Sequence, residues 1–215
     1  RMGTYPAPEF AADCRTVTGG NPLLLDELAR ALQADGVRPD AASVAAIATL
    51  GPRAVSRTVL ARLAHAGPQA IAVAQALAVI GDWEGVAMVE AVTGLDADEI
   101  EAATRTLLRA EILQPGSPLR FVHPLVRDAV YRELTPVESE RRHLRVADVL
   151  RTMGRPDEQI AAHALALQPA GREWVVTVLR AAALIAVHRG AADDALAYLR
   201  RAVIEPAPDD VRPRL

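Results

Sequence analysis

Lysine is absent from this 215-residue sequence, cysteine occurs once, and aromatic residues make up only 3% of it. All 24 basic residues are therefore arginines. The single cysteine, Cys14, cannot form an internal disulfide, so we expect a reducing, cytoplasmic environment and a small, partly buried side chain at this position. No apolar run approaches the about 20 residues that cross a membrane, so we expect no membrane partner.

Recognisable catalytic and phosphate-binding motifs are also missing. The phosphate-binding loop GxxxxGK[ST] contains a lysine, and this sequence has no such loop. We find no Ser/His/Asp set, no paired carboxylates and no metal-ligand cluster. The sequence therefore predicts no catalytic residue, no metal site and no enzymatic activity for this chain.

The apolar content, 51% of the residues, is carried by alanine, leucine and valine. Such small side chains suit closely packed helices, and the predicted fold class is mainly α. The net charge of −3 provides no overall basic field that would attract nucleic acid.

The first part of the chain predicts helices separated by glycine and proline signals. Gly19-Gly20 ends a short first helix. Asn21 is a good N-cap and Pro22 a good first residue for the second helix. After a polar segment, Pro52 is predicted to begin the next helix.

Residues 67–135 follow the order of a winged helix, in which three helices precede a small β-hairpin. Asp96 is predicted to cap the third helix, with Glu99 completing a capping box. A strong turn signal at 115–118 separates two short extended pieces. We predict helices over 68–80, 86–93 and 97–110, strands over 112–114 and 119–122, and a further helix over 124–134.

From residue 136 onward the pattern is helical only. The predicted helices run over 137–153, 157–167, 172–189 and 192–204. Their mixture of small and large apolar residues resembles the antiparallel helix pairs of tetratricopeptide (TPR) repeats. The tail over 205–215 is rich in proline and charge, and is predicted to be frayed.

The turn Gly20-Asn21-Pro22 is the first candidate site. Glycines allow a ligand to approach the backbone closely, and a helix N-terminus favours an anion or a polar ligand edge. A tight turn with a helix cap accounts for the same residues without any ligand. The residues alone leave both interpretations open.

His123 is the second candidate, because it precedes Pro124 at a predicted helix start beside the hairpin. An imidazole at this position could donate to a phosphate or change its charge with pH. Its ring could equally cap the helix or pack on the hairpin, and both alternatives stay open. The basic stretch over 141–145 is interpreted as a solvated helix face.

A winged helix invites a DNA-binding interpretation, which the local charge argues against. The region of the third helix, 96–109, carries four acidic residues against two arginines, a balance of −2. DNA phosphates would repel such a helix, so we expect no direct DNA contact.

Four stretches share their order and spacing with a known family. They are TGGNPLLLDELARAL (18–32), VLARLAHAGPQAIAVAQALAVIG (59–81), LLRAEILQPGSPLRFVHPLVRDAVYREL (107–134) and ERRHLRVADVLR (140–151). Together they resemble the C-terminal part of the ATPase module in large ATP-binding LuxR-type transcriptional regulators. Those proteins belong to the STAND class of signal-transduction ATPases, and the same module occurs in some multidomain cyclases and kinases.

The resemblance covers about residues 10–204 and implies a domain organisation. Residues 10–66 would form a helical lid, 67–135 a winged-helix domain with a short β-hairpin, and 136–215 an incomplete set of TPR-like repeats. The start of the chain, 1–9, is interpreted as a tag or linker remnant.

The resemblance also implies roles for the two candidate sites. Gly20, Asn21 and Pro22 would lie near the adenine of ATP or ADP in the full-length protein, and the fragment itself would hold no cofactor. His123 would contact the phosphate end of ADP, although the sequence here is Val-His-Pro and lacks the aspartate that follows in many relatives. The expected partners are an intramolecular nucleotide-binding domain and an effector or protein on the repeats.

Three hypotheses for function follow. The leading one is a regulatory, signal-transducing fragment of an ATP-dependent LuxR-type transcriptional regulator. The alternatives are a protein-interaction scaffold without nucleotide control and a winged-helix DNA-binding module.

Overall fold

The computed structural model describes residues 6–81 and 85–206. Its described part is mainly α-helical, with a two-stranded antiparallel hairpin as its only sheet, so the predicted mainly α class is confirmed. The helices are α1 (Pro8–Thr18), α2 (Pro22–Ala34), α3 (Val44–Ala64), α4 (Pro68–Ile80), α5 (Val86–Thr93), α6 (Ala97–Arg109), α7 (Pro124–Arg132), α8 (Pro136–Thr152), α9 (Asp157–Ala164), α10 (Glu173–His188) and α11 (Ala192–Val203). The strands are β1 (Leu113–Gln114) and β2 (Arg120–Phe121).

The chain divides into two compact units, Arg1–Leu134 and Thr135–Leu215. The segments that the sequence assigns to a lid and a winged helix both lie in the first unit, and the boundary between them stays a prediction. Of the predicted remnant over 1–9, residues 1–5 lie outside the described residues, whereas Pro8 and Glu9 form the first turn of α1. Most of the predicted tail, 207–215, also lies outside the described residues.

The N-terminal helices of the first unit share one apolar cluster. Its buried members are Phe10, Leu28, Leu32 and Ile47. Cys14 is half-buried and packs against this cluster, as its sequence suggested. Burial and, to a smaller extent, the Asp13 carboxylate raise the pKa of the Cys14 thiol, so the thiol stays protonated at neutral pH and is a poor nucleophile.

Pro52 lies inside α3, so the predicted helix start at this residue is wrong. The buried residues of α3 are Ile47, Gly51, Ala54, Val55, Val59 and Leu63. This apolar stripe passes through the proline without interruption, and its burial stabilises one continuous helix although proline removes a backbone hydrogen bond. A Cβ on Gly51 would lie 2.8 Å from Val17 Cγ1, so this glycine lets α3 pack closely on α1.

The second half of the first unit follows the predicted order of three helices, a hairpin and a helix. The predicted capping box of α6 is present, because Glu99 N–H donates to Asp96 Oδ1 at 2.8 Å and Asp96 N–H donates to Glu99 Oε2 at 3.1 Å. In the hairpin, Leu113 lies opposite Phe121, and both side chains are buried. Two residues after the hairpin, α7 begins.

In the second unit each helix from α8 to α11 packs on the next one along the chain. The end of α11 is tied back to the loop before α10 by a buried ion pair. Arg201 donates twice to the Leu167 carbonyl, at 3.2 and 3.0 Å, and once to Glu205 at 2.6 Å. Glu205 also accepts from the amides of Ala170 and Arg172, at 3.0 and 2.8 Å. Burial raises the pKa of Glu205, but these hydrogen bonds and Arg201 outweigh it and hold the pKa below its usual value.

Candidate functional site

Two consecutive glycines build the turn between α1 and α2. Gly19 and Gly20 have φ values of 60° and 72°, in the left-handed region that glycine adopts without a side-chain clash. Their N–H groups donate to the carbonyls of Thr16 and Arg15, at 3.4 and 3.0 Å, which closes the end of α1. The backbone N–H groups of both glycines are therefore already hydrogen-bonded to the end of α1.

Asn21 caps α2 as the sequence predicted. Its Oδ1 accepts from the N–H groups of Leu23 and Leu24, at 3.0 and 3.3 Å. Pro22 is the first residue of the helix and has no N–H to satisfy. The cap uses the oxygen of the Asn21 side chain and leaves its amide nitrogen available as a donor.

His123 holds the start of α7 in a similar way. Its backbone is extended, with φ −159°, and its Nδ1 accepts from the N–H of Leu125 at 3.2 Å. The ring therefore caps a helix, one of the two interpretations that the sequence left open. Arg127 fixes α7 on α4, because its Nε–H donates to the Ala78 carbonyl at 3.1 Å.

The ring of His123 lies directly against Gly19. A Cβ built on Gly19 would be 2.9 Å from His123 Cδ2, closer than real Cβ contacts, and 3.1 Å from His123 Nε2, tighter than most of them. A Cβ on Gly20 would instead meet Arg15 Cγ at 3.7 Å, an ordinary contact. The absent side chain of Gly19 thus provides the space that the imidazole occupies, and the two candidate segments meet at this point.

The proton of the His123 ring faces this contact. Burial lowers the pKa of His123, and the Asp128 carboxylate raises it by less, so the net pKa lies below the usual value and the ring is neutral at pH 7. Because Nδ1 accepts the hydrogen bond from Leu125, we assign the proton of the neutral ring to Nε2. This is the nitrogen that lies beside Gly19.

The donors that remain at the turn are side chains. They are the amide nitrogen of Asn21, the Nε2–H of His123 and the guanidinium of Arg15. Arg15 is exposed, and its guanidinium makes no hydrogen bond or ion pair within the described residues. Such a set can hold a ligand that carries negative charge or hydrogen-bond acceptors.

Of the four predicted site residues, Gly20, Asn21 and Pro22 adjoin the point of contact, and His123 forms it through Gly19. Sequence reasoning missed Arg15. The available signal was its place in the last turn of α1, where basic residues are favoured by the helix dipole.

The interpretation of 141–145 as a solvated helix face is wrong for His143. This residue is 8% exposed, as is His163 on α9. Their Nδ1 atoms lie 2.9 Å apart in a hydrogen bond, with the rings tilted by 47°. His143 faces inward because α8 packs on α9 along this side, whereas Arg141 and Arg145 are exposed.

Comparison of the chain with family models, with curated proteins and with solved structures finds no match. Among the described helices, none combines the length and the apolar character that crossing a membrane requires. No group of three or more metal-ligating side chains occurs in the described ranges.

Proposed function

We propose that this chain is the regulatory part of a nucleotide-dependent switch, similar to the STAND ATPase module of large ATP-binding LuxR-type transcriptional regulators. The observation that carries the proposal is the contact of His123 with Gly19. It joins the two segments to which the resemblance assigns nucleotide contacts, although they are far apart in the sequence. The chain would act in the cytoplasm and have no catalytic activity of its own.

In this proposal each site residue has a distinct role. Gly20, Asn21 and Pro22 lie beside the adenine, where the glycine lets the base approach the backbone closely and the Asn21 amide offers a donor. His123 donates its Nε2–H to the phosphate end of ADP. The ring is suited to this role because its other nitrogen is occupied by the Leu125 N–H, which fixes the orientation of the ring.

The remaining elements fit the same proposal. Residues 10–66 act as the helical lid, and α4–α6 with the hairpin act as a winged helix that carries His123 at its edge. The helices from α8 to α11 begin a TPR-like array, which the sequential packing of each helix on the next supports. An effector or a partner protein would bind this array.

The proposed mechanism is a change of position between domains. In the resting state the lid and the winged helix close on ADP, together with a nucleotide-binding domain that supplies the phosphate-binding loop. Effector binding to the array favours the open state, in which ADP is exchanged. His123 acts as the contact that holds the resting state.

The test measures ADP retention in the full-length protein that contains this chain. His123→Ala and Pro22→Ala are each expected to accelerate ADP dissociation, by about tenfold for His123→Ala, which loses a hydrogen bond to a charged group. His188→Ala is the matched control, because this histidine is exposed at the end of α10. Unchanged ADP retention in both site variants, or a gene without a phosphate-binding loop upstream, would refute the proposal.

A second candidate, a protein-interaction scaffold without nucleotide control, is favoured by an apolar surface of the second unit. Large apolar side chains on its last two helices remain exposed. Among them are Leu184 (64%), Val187 (60%), Leu196 (45%), Leu199 (44%) and Val203 (83%). Exposed clusters of this kind often mark protein contacts. A phosphate-binding loop GxxxxGK[ST] encoded upstream in the gene would favour the switch over the scaffold.

The DNA-binding alternative gains no support from α6. Its exposed first turns carry Asp98 and Glu101, and Glu101 pairs with Arg105 on the same helix. A recognition helix that presents carboxylates to the DNA phosphates would be repelled.

A further inference from the structure

A cleft of about 660 Å³ lies within the first unit, between the C-terminal halves of α3 and α6. Its volume is in the range of small-molecule sites. None of the residues at the Gly19–His123 contact lines it. The cleft is therefore a second potential site, and its properties can be considered independently of the proposed nucleotide contact.

Positive charge is concentrated in this cleft. Three arginines line it, two from α3 and one from α6: Arg57, Arg62 and Arg109. Arg57 and Arg109 are exposed, and their guanidinium groups make no hydrogen bond or ion pair with any residue in the ranges 6–81 and 85–206. Two guanidinium groups without an acidic partner thus line one cavity, an arrangement that favours an anion.

The acidic groups nearby are already engaged. Glu27 is the one carboxylate that lines the cleft, and it accepts at 2.9 Å from Arg30 of the same helix, which also pairs with Asp26. Arg62 donates to Glu111 and to the Ala110 carbonyl, both at 2.9 Å. No carboxylate of the described residues pairs with Arg57 or Arg109.

The rest of the lining suits an organic body attached to that anion. The Thr58 hydroxyl adds a hydrogen-bonding group beside Arg57 in the lining, and His65 lies two turns further along the chain. The methyl groups of Ala61, Ala66 and Ala110 form an apolar wall of the cleft. Guanidinium groups match the oxygens of a phosphate in geometry as well as in charge.

We infer that this cleft binds a small phosphorylated molecule, whose phosphate is held by Arg57 and Arg109 and whose body lies on the alanine wall. The ligand would be a soluble effector, which adds a site to those of the proposed switch. The inference does not depend on nucleotide binding at His123.

The test uses inorganic pyrophosphate as the probe and the 215-residue chain as the protein. Isothermal titration at constant ionic strength should give saturable binding, and the double variant Arg57→Ala/Arg109→Ala should weaken it by at least about tenfold. Arg132→Ala, an exposed arginine at the end of α7, is the matched control and should bind like the unmodified chain. The inference and the proposed function fail separately, because this titration reports on Arg57 and Arg109, whereas the ADP-retention test reports on His123 and Pro22.

Amide NMR of the unmodified chain provides a second measurement that does not require any variant to fold. Pyrophosphate should shift the resonances of Thr58, Ala61 and Ala110 more than those of α8–α11. Shifts confined to other residues, equal binding by the double variant, or a signal reproduced by sodium chloride would overturn the inference. So would tighter binding of a short DNA duplex than of pyrophosphate at these same residues, because the cleft would then serve a nucleic acid.

Discussion

His123 of the first unit and Arg201 of the second are both held by contacts from distant parts of the chain, but they differ in the polar atoms that stay available. The His123 ring uses Nδ1 to cap α7 and keeps Nε2–H beside Gly19. Arg201 uses Nε and both terminal nitrogens, on Leu167 and Glu205. The first side chain is positioned but unsatisfied, and the second is satisfied within its own unit.

The difference separates a binding role from a structural one. A buried polar group normally finds a partner within the fold, and Arg201 and the His143–His163 pair follow that rule. A donor that is oriented and left without a protein partner is a candidate for ligand contact. By this criterion His123 is a candidate binding residue, whereas the contacts of Arg201 and of the His143–His163 pair stabilise the helices of the second unit.

The largest expected effect concerns the second unit. Arg201→Ala should lower the free energy of unfolding by about 3–5 kcal/mol, because it leaves the Glu205 carboxylate buried without its charged partner. Urea unfolding followed by circular dichroism measures this loss. Arg200→Ala is the control, since this neighbouring arginine is exposed and should cost no more than about 0.5 kcal/mol. Equal losses for the two variants would remove the structural role from Arg201.

A smaller effect is expected at the turn of the first unit. Gly19→Ala and Gly20→Ala should each cost about 1–2 kcal/mol from the positive φ alone. Gly19→Ala should cost more than Gly20→Ala, because only its Cβ meets the His123 ring. Urea unfolding measures the difference in the free energy of unfolding between the two variants. The NMR resonances of the His123 ring should shift in Gly19→Ala alone. If the two variants are equally stable, the imidazole does not depend on the space at Gly19.

The smallest effect is a dependence on pH. Burial places the pKa of folded His123 below the ordinary value of 6.5, so below that value the unfolded chain binds more protons. The contribution of His123 to stability is therefore complete above pH 6.5 and is lost as the pH falls towards the pKa of the folded state. NMR titration of the ring measures this pKa directly.

Asp128→Asn tests the cause of the pKa shift of His123. The Asp128 carboxylate raises the pKa of His123, so its removal should lower the pKa further. Asp98→Asn on α6 serves as a control for a general charge effect and should leave the titration unchanged. A rise in the pKa of His123 in Asp128→Asn would contradict the assignment of causes.

Local signals in the sequence identified most elements, and the reason is visible at particular residues. Asp96 and Glu99 bond within one turn, and Asn21 caps its own helix, so neither arrangement depends on the rest of the fold. Pro52 gives a misleading signal, because the helix continues through it. The buried stripe of α3 packs against α1, α2 and α7, which lie elsewhere in the sequence. Tertiary packing overrode the local signal there.

The candidate site shows the same limit. Gly20, Asn21, Pro22 and His123 stood out because each has a local signature at a helix start. Gly19 matters because the ring of His123, which is distant in the sequence, packs against it. No periodicity in the sequence predicts that contact. The His143–His163 bond was hidden for the same reason, because a histidine between arginines has the local pattern of a surface.

The continuity of α3 through Pro52 has a geometric consequence. Its 21 residues make a helix about 30 Å long, which contacts α1, α2 and α7 and also carries Arg57 and Arg62 of the cleft. Two helices meeting at Pro52 would have placed a loop between Gly51, which packs on α1, and the arginines of the cleft. In the continuous helix, regular backbone geometry alone sets the distance between the two.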